Sequence, residues 1–526
     1  MFSKFSISFL VFGIIFSSYL VDVQAQKNQV IHLDNHVYTY IKNLQQRGHF
    51  TDLNPTALPY TRGEIDQGLK NINREYLTTA EKFWFDQITK EAGIKELDSE
   101  EYYLYGMLEG GFDLNNTLEP NGLRPQADDL FFLPNGASNL YGEKDNFAAQ
   151  LGLRHKLFYD QDRIGVNALS RYYVRSEDYY LGYQGDFLKA YMGRYTHQWA
   201  PYGEASTVIT PNARSFDNLN ISVGNSWFEV SGIFAELDNL GKDGTFDRTG
   251  KNLIDGTKRY LAIHRIDIKI NDGLRLGYFD GFIYSSQNSV PSLKFISPVN
   301  FFFFDRNTNP LNDEFNAFFG GMVWWQYQKV TTNLQVMIDD IVIKGGSIES
   351  DIEPTTFAIT NSVNVSKVTD FMDIGYEAEL VSYQTYNTDQ AEGRYLYLKR
   401  GIANQYTDYG YGSLYMRLHA HKWLPGLTLT PRVSYLMQGE QEINQPFVDE
   451  YPNGNTIDVI LTGTEEKTSR FSLDVLYNPI PEFWLDASVG YNYTEDHLHI
   501  PGRTTSRITG NLEVGFRLSL DSHTFK

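Results

Sequence analysis

The chain is 526 residues long, carries a formal net charge of −20 and contains no cysteine. That acidity argues against nucleic acid as a partner, because a phosphate backbone is held by Lys and Arg. A chain without cysteine forms no disulfide and is read as carrying no lipoprotein anchor.

The first elements, in chain order, are an export signal and a helical stretch. Lys4 provides a short positive start, residues 5–20 (FSISFLVFGIIFSSYL) an apolar core, and Val23-Gln24-Ala25 a small-residue cleavage site. Residues 1–25 are therefore expected to be a signal peptide, removed near Ala25. Residues 26–100 are expected to form a small helical domain with no chemistry of its own, placed in the periplasm. Val37, Ile41 and Leu44 recur at helical spacing. The stretches 61-TRGE-64 and 78-TTAE-81 read as capping boxes. Ile65, Leu69 and Ile72 follow the first box, Trp84 and Ile88 follow the second, and Gly93 is placed to end the last helix.

From Tyr102 onward the period changes to two. In 163-RIGVNALSRYYVR-175, Ile164, Val166, Ala168, Tyr172 and Val174 share one face, and Arg163, Asn167, Arg171 and Arg175 the other. The same division runs through 102–114, 411–421 and 511–520. Leu512, Val514, Phe516, Leu518 and Leu520 stand against Asn511, Glu513, Arg517 and Ser519. The composition adds 36 Tyr, 35 Phe and 43 Gly, with only 41% hydrophobic residues. No segment after the signal approaches about 18 consecutive apolar residues, so a transmembrane helix is not expected. A closed barrel remains, in which every backbone polar group pairs with a neighbouring strand.

Connections alternate in length. Tight turns are read at 160–162, 184–186, 224–226, 271–273, 424–426 and 478–482, and long links near 115–145, 196–217, 238–258, 286–315, 384–405 and 438–466. Short periplasmic turns and long external links are the pattern of an outer-membrane barrel, here of about 18 strands over residues 101–526. The fold class expected is mainly β: an outer-membrane antiparallel β-barrel with a small N-terminal periplasmic helical domain. The run Phe301 to Phe304 falls in the long link after the strand 274–285 and is expected at the outer mouth, beside the link 198–214.

No G-x-S-x-G, H-E-x-x-H, P-loop or G-x-G-x-x-G occurs, so no enzyme activity, cofactor or metal is expected. The acidic link 238–256 lacks the alternating ligands and terminal Glu of a calcium loop. His419 and His421, two apart on a strand, read as polar lining of the lumen.

The stretch 198-QWAPYGEASTVITPNARSF-216 carries the informative motif. With its Trp199, Pro201, Gly203, Ser206, Ile209, Asn212, Ala213 and Arg214, it resembles the signature of the Wzi family of outer-membrane capsule assembly proteins. Ala200 and Ser215 depart from the Gly and Pro common there. The segments 35–50, 58–69, 260–285, 297–302 and 334–341 are similar to further parts of that family, in the same order. The resemblance implies a barrel of about 18 strands that binds capsular polysaccharide at the cell surface, helps organise the capsule and is lectin-like rather than enzymatic. It also implies outer-membrane lipid and capsule export machinery as partners.

Sugar binding needs flat aromatic faces and planar polar groups. The links supply Trp199, Tyr202, Asn212, Arg214, Phe301 and Phe303 as candidates. An acidic glycan would call on Arg214 or on Arg163, Arg171 and Arg175. Two alternatives stay open. Trp199 and the Phe run pack a loop into the barrel as a plug, or the chain is a porin or substrate channel.

Overall fold

The computed structural model describes residues 27–93, 103–116, 123, 130–158, 171–238, 258–286, 291, 295, 297, 315–340, 356–388, 391–398, 400–404, 406–443 and 460–521. The expected signal peptide lies outside them. Nineteen segments among these residues join one antiparallel sheet. Two of them, Arg171–Ser176 and Tyr179–Gln184, both pair with Phe147–Phe158 and are halves of one strand. The break falls at Glu177 and Asp178, where Asp178 takes a φ of 64°. The sheet thus has 18 strands. Its last strand, Thr505–Asp521, pairs with its first, Tyr103–Asn115, from Tyr105↔Asp521 to Asn115↔Asn511. That pairing closes the barrel and leaves no sheet edge to solvate, as a membrane interior requires.

Alternation sets the two faces. Leu414, Phe471, Phe516 and Leu518 point outward and are exposed, while Ser413, His419 and Arg517 point inward and are buried. Short turns at 145–146, 185–187, 225–227, 272–273, 328–329, 370–371, 420–426 and 481–482 gather at one end. Beside them Phe147, Phe187, Trp227, Tyr327, Phe371 and Trp423 stand exposed on the outer face, an aromatic girdle of the kind that sits at a membrane interface. The long links leave from the other end.

One expected connection is corrected, and another cannot be placed. The stretch 115–145 contains the strand Phe131–Lys144. Its Pro134, Asn135, Gly136 and Asn139 look like turn residues but sit in a barrel wall. Residues 160–162 lie outside the described residues.

Among the described residues the N-terminal unit has three α-helices, Val37–Gln45, Arg62–Lys70 and Thr79–Ala92. Both capping boxes are formed, Thr61 with Glu64 and Thr78 with Glu81. Gly93 ends the last helix in extended backbone rather than in the left-handed region. Leu44, Ile65, Trp84 and Ile88 are fully buried and form its core. None of the described helices is long and apolar enough to cross a membrane.

This unit docks around the short-turn end. Arg47 grips Asp373 through two hydrogen bonds of 2.7 and 2.8 Å. Trp84 Nε1 donates to His421 Nε2 at 2.9 Å, and the Tyr40 hydroxyl donates to Asn478 Oδ1 at 2.9 Å. On other strands Lys189 pairs with Glu64, and Lys269 pairs with Asp52 at 3.0 Å. His419 and His421 are thus structural. His419 contacts Asp373 at 2.9 Å, and no metal-binding group of His, Asp or Glu occurs among the described residues.

Candidate binding recess in the barrel lumen

The long link after Leu188–Tyr195 does not stay outside. Leu58 and Gln198 exchange backbone hydrogen bonds of 2.9 and 3.1 Å, so the link reaches the helical unit. Lys42 of that unit donates to the Tyr202 carbonyl at 2.8 Å and pairs with Glu204 at 2.9 Å. From the wall strand Val330–Asp340, Gln335 donates to the Trp199 carbonyl at 2.6 Å, and its oxygen accepts from Ser206 Oγ and the Thr207 amide at 3.1 and 3.0 Å. A second long link, 382–408, closes over the first. The Tyr386 and Tyr395 hydroxyls donate to the carbonyls of Thr207 and Val208 at 2.7 and 2.9 Å. Trp199, Val208, Ile209, Tyr395 and Ile402 share one buried core with the inward faces of the wall. The helical unit and two inturned links thus fill one side of the lumen.

On the other side a recess of about 990 Å³ remains. It extends from Gln29–His36 toward the long-link end, where Asn212, Asn404 and Tyr406 border it. Its wall carries Tyr409, Tyr411 and Trp484 together with carboxylates and arginines of the inward faces. Trp484 lies against Gly515, where an added Cβ would come within 2.1 Å of the ring, so only glycine lets the indole lie flat on the wall. Its Nε1 donates to Glu513 Oε1 at 3.0 Å. The ring is buried, with the Arg517 guanidinium 5.8 Å over it, so Trp484 is part of the wall of the recess rather than an open face in it.

No family model matches the chain, and no curated protein matches it in sequence. Solved structures do match it in fold. One is Wzi, described as an outer-membrane protein involved in group 1 capsule assembly in Escherichia coli and as a carbohydrate-binding β-barrel. It aligns with a TM-score of 0.62 and 12% identity over 94% of this chain and 100% of that one. This chain is an outer-membrane β-barrel. A BenF-like porin from Pseudomonas fluorescens (TM-score 0.46, 7% identity, 80% of this chain and 99% of that one) and Pseudomonas aeruginosa OccK8 (OprE) (TM-score 0.45, 11% identity, 80% and 99%) also align with it. At such identities the likeness carries the architecture alone.

The barrel distributes the expected site residues unevenly. Trp199 is 4% exposed and sits 5.4 Å below the Arg265 guanidinium, enclosed by the core; this fits the plug alternative. Tyr202 is half-buried, stacks on Tyr38 at 5.4 Å and lines the recess, and burial pushes its phenol above the usual range. Asn212 also lines the recess, its amide donating to the Gly401 carbonyl at 2.8 Å. Arg214 is half-buried on the same link, away from the recess lining. Arg175 lines the recess and pairs with Glu177 at 3.0 Å. Arg163 lies outside the described residues, and Arg171 is described only as part of its strand.

Phe301 and Phe303 lie outside the described residues as well, but the link that carries them starts in an unexpected place. Arg259 and Arg265 point inward, donating to the carbonyls of Arg394 and Thr56, so His264 between them faces outward. His264 Nδ1 stands 3.2 Å from Asp280 Oδ1 and its Nε2 3.2 Å from the Phe295 carbonyl. Phe295 is fully buried, with its ring 4.2 Å from Phe282 and 4.4 Å from Tyr284. Phe295 thus covers the outside of the wall, whereas Trp199 is inside the lumen.

Tyr406, Tyr409 and Trp484 were not singled out from the sequence. The available signal was phase: Tyr409 and Tyr411 fall in step with the inward-facing Ser413 and Arg417.

Proposed function

We propose that this outer-membrane barrel is a Wzi-like, lectin-type protein, without enzyme activity, that binds capsular or other extracellular polysaccharide at the cell surface and helps capsule assembly. One observation carries the reading. The lumen is filled on one side by the helical unit and two interlocked links, yet keeps a large aromatic and polar recess toward the long-link end. A barrel built for diffusion has no use for a hydrogen-bonded core across its lumen; a binding barrel uses it as a floor. In this reading the short-turn end and helical unit face the periplasm, the long links face outward, and Tyr202 and Asn212 contact glycan with Tyr406. The order of motifs shared with the Wzi family supports the same assignment, and contact with capsule export machinery follows from it.

The test is capsule retention. Cells lacking the protein are expected to shed polysaccharide into the medium while still making it, and the purified protein is expected to stay closed in planar bilayers. Unchanged retention together with steady ion conductance would replace this reading with that of a porin.

A further inference from the structure

The inner end of the recess is a strap, residues 28–36, that precedes the first helix and crosses from the helical unit to the barrel wall. One edge of the strap is stitched to the helical unit. The Ile31 amide donates to the Tyr60 carbonyl at 2.9 Å, Arg62 Nε donates to Gln29 Oε1 at 2.6 Å, and Asn35 Nδ2 donates to Glu91 Oε1 at 2.7 Å. The other edge is stitched to the wall. The Asn28 amide donates to Glu143 Oε2 at 3.1 Å, the Tyr191 hydroxyl donates to the Asn28 carbonyl at 3.1 Å, and the Val30 amide donates to the Tyr180 hydroxyl at 3.0 Å. Two ion pairs complete the seam, Arg154 with Asp34 at 2.8 Å and Arg517 with Glu91 at 2.8 Å. Asn28, Val30, Ile31 and Leu33 are buried, so the seam beside them is dry.

The sides are closed as well. The sheet closes on itself, so the wall has no lateral exit. Opposite the wall stand Tyr202, Gly203 and Glu204 of the first inturned link. Among the described residues the recess therefore has one way out, past Asn212, Asn404 and Tyr406 at the long-link end. It is a blind shaft. A polymer enters a blind shaft by its end, or by an internal segment that doubles back and leaves through the same mouth. The volume of about 990 Å³ falls within the range of about 300–1,000 Å³ that encloses a single small ligand. Two antiparallel runs of glycan need twice the cross-section of one, and the bend between them adds an ordering cost that an end does not carry.

We propose that the recess takes the terminus of a polysaccharide chain and not its interior, so that each barrel holds one chain by its tip. This rests on the carbohydrate-binding reading above and names the part of the polymer that is bound.

The test counts binding sites against chain ends. Extracellular polysaccharide from the producing cells is cut by partial acid hydrolysis into size fractions, all kept longer than the barrel is wide so that crowding does not limit the count. Full-length purified barrel in detergent is added to saturation, and the barrels bound per unit mass of polysaccharide are measured by sedimentation. The count is expected to rise in step with the number of chain ends, doubling with each halving of length in a linear chain. A count that stays constant as the chains shorten, as repeated internal epitopes would give, overturns the inference and leaves the carbohydrate reading standing. A Ser472→Trp variant fills the shaft from a half-buried wall position that lines it. It is expected to keep its melting temperature and to lose binding to every fraction. Undiminished binding by the folded variant moves the site out of the recess and also overturns the inference. Binding of no fraction by the unaltered protein overturns both.

Discussion

On the wall from Phe216 to Thr369, inward side chains meet protein: Arg265 meets the helical unit, Gln335 the first inturned link, and Ser362 the Glu204 carboxylate. On the wall from Tyr409 through the closure to Phe147–Phe158, inward side chains such as Arg432, Asp474, Asp486 and Glu513 meet the recess. Both walls alternate apolar outward and polar inward, and both carry arginines, amides and carboxylates on the inner face. The difference lies in what arrives from elsewhere in the chain. An inward polar residue becomes a joint when a loop reaches it, and a binding surface when none does.

The largest test of that contrast is Trp199→Ala. Truncating an enclosed large aromatic typically costs about 3–5 kcal/mol. The variant is expected to unfold at lower temperature and to conduct ions in bilayers. A variant as stable and as closed as the parent would show that Trp199 is not part of a floor. Next comes Gln335→Ala, which strands the Thr207 amide and takes the Gln335 amide donor from the Trp199 carbonyl. Leaving such buried groups unpaired costs about 1–3 kcal/mol. Faster hydrogen exchange is expected in 198–210 but not on the recess wall; exchange altered equally on both walls would dissolve the distinction.

Acidification acts on the joints through two buried histidines. Burial, with some help from His419 and Arg47, lowers the pKa of His421 to about 3. Burial lowers His197 to about 4, against its hydrogen bond with Asn218. Both rings are therefore neutral when folded and protonate near their ordinary value of 6.5 when unfolded. Their contribution is full above pH 6.5 and is lost as pH falls toward about 4 and about 3. Trp84 can only donate, so a protonated His421 cannot keep that bond. Bilayer conductance should rise over this window. If a His421→Gln variant loses none of that pH dependence, this joint is not responsible. The smallest effect belongs to the recess. Asp486→Asn relieves a row of like charges and should shift stability by no more than about 0.5 kcal/mol, in either direction, in thermal melts. A loss of several kcal/mol would mean that the row is structural.

Much of this was legible from residue order. Period-two alternation placed the strands at 411–421 and 511–520 with the correct faces, because one side chain in two must meet lipid. The boxes at Thr61 and Thr78 announced helix starts through local chemistry alone. The strand Phe131–Lys144 was hidden because its inward and wall positions hold Pro134, Asn135 and Asn139, which local propensity assigns to turns and only sheet pairing overrules. The direction of 198–214 was also hidden. An aromatic-rich link reads the same whether it lies on the mouth or turns into the lumen, and Gln335, which holds it, is more than a hundred residues away. The recess was illegible for the complementary reason: it is defined by where the described links do not reach.

Phe295 gives the barrel a consequence at its outer surface. The His264–Asp280 pair faces away from the lumen, fully buried beneath the Phe295 segment. Uncovered, it would present a polar pair on a face where polar and charged groups are destabilising. Bilayer lipids therefore meet a ring of strands interrupted on one side at Phe295, and the cylinder has a front. A neighbouring molecule in a crowded membrane can recognise this barrel by its angle of approach, and the strand pair 258–286 must acquire its cover before that flank comes to rest against acyl chains.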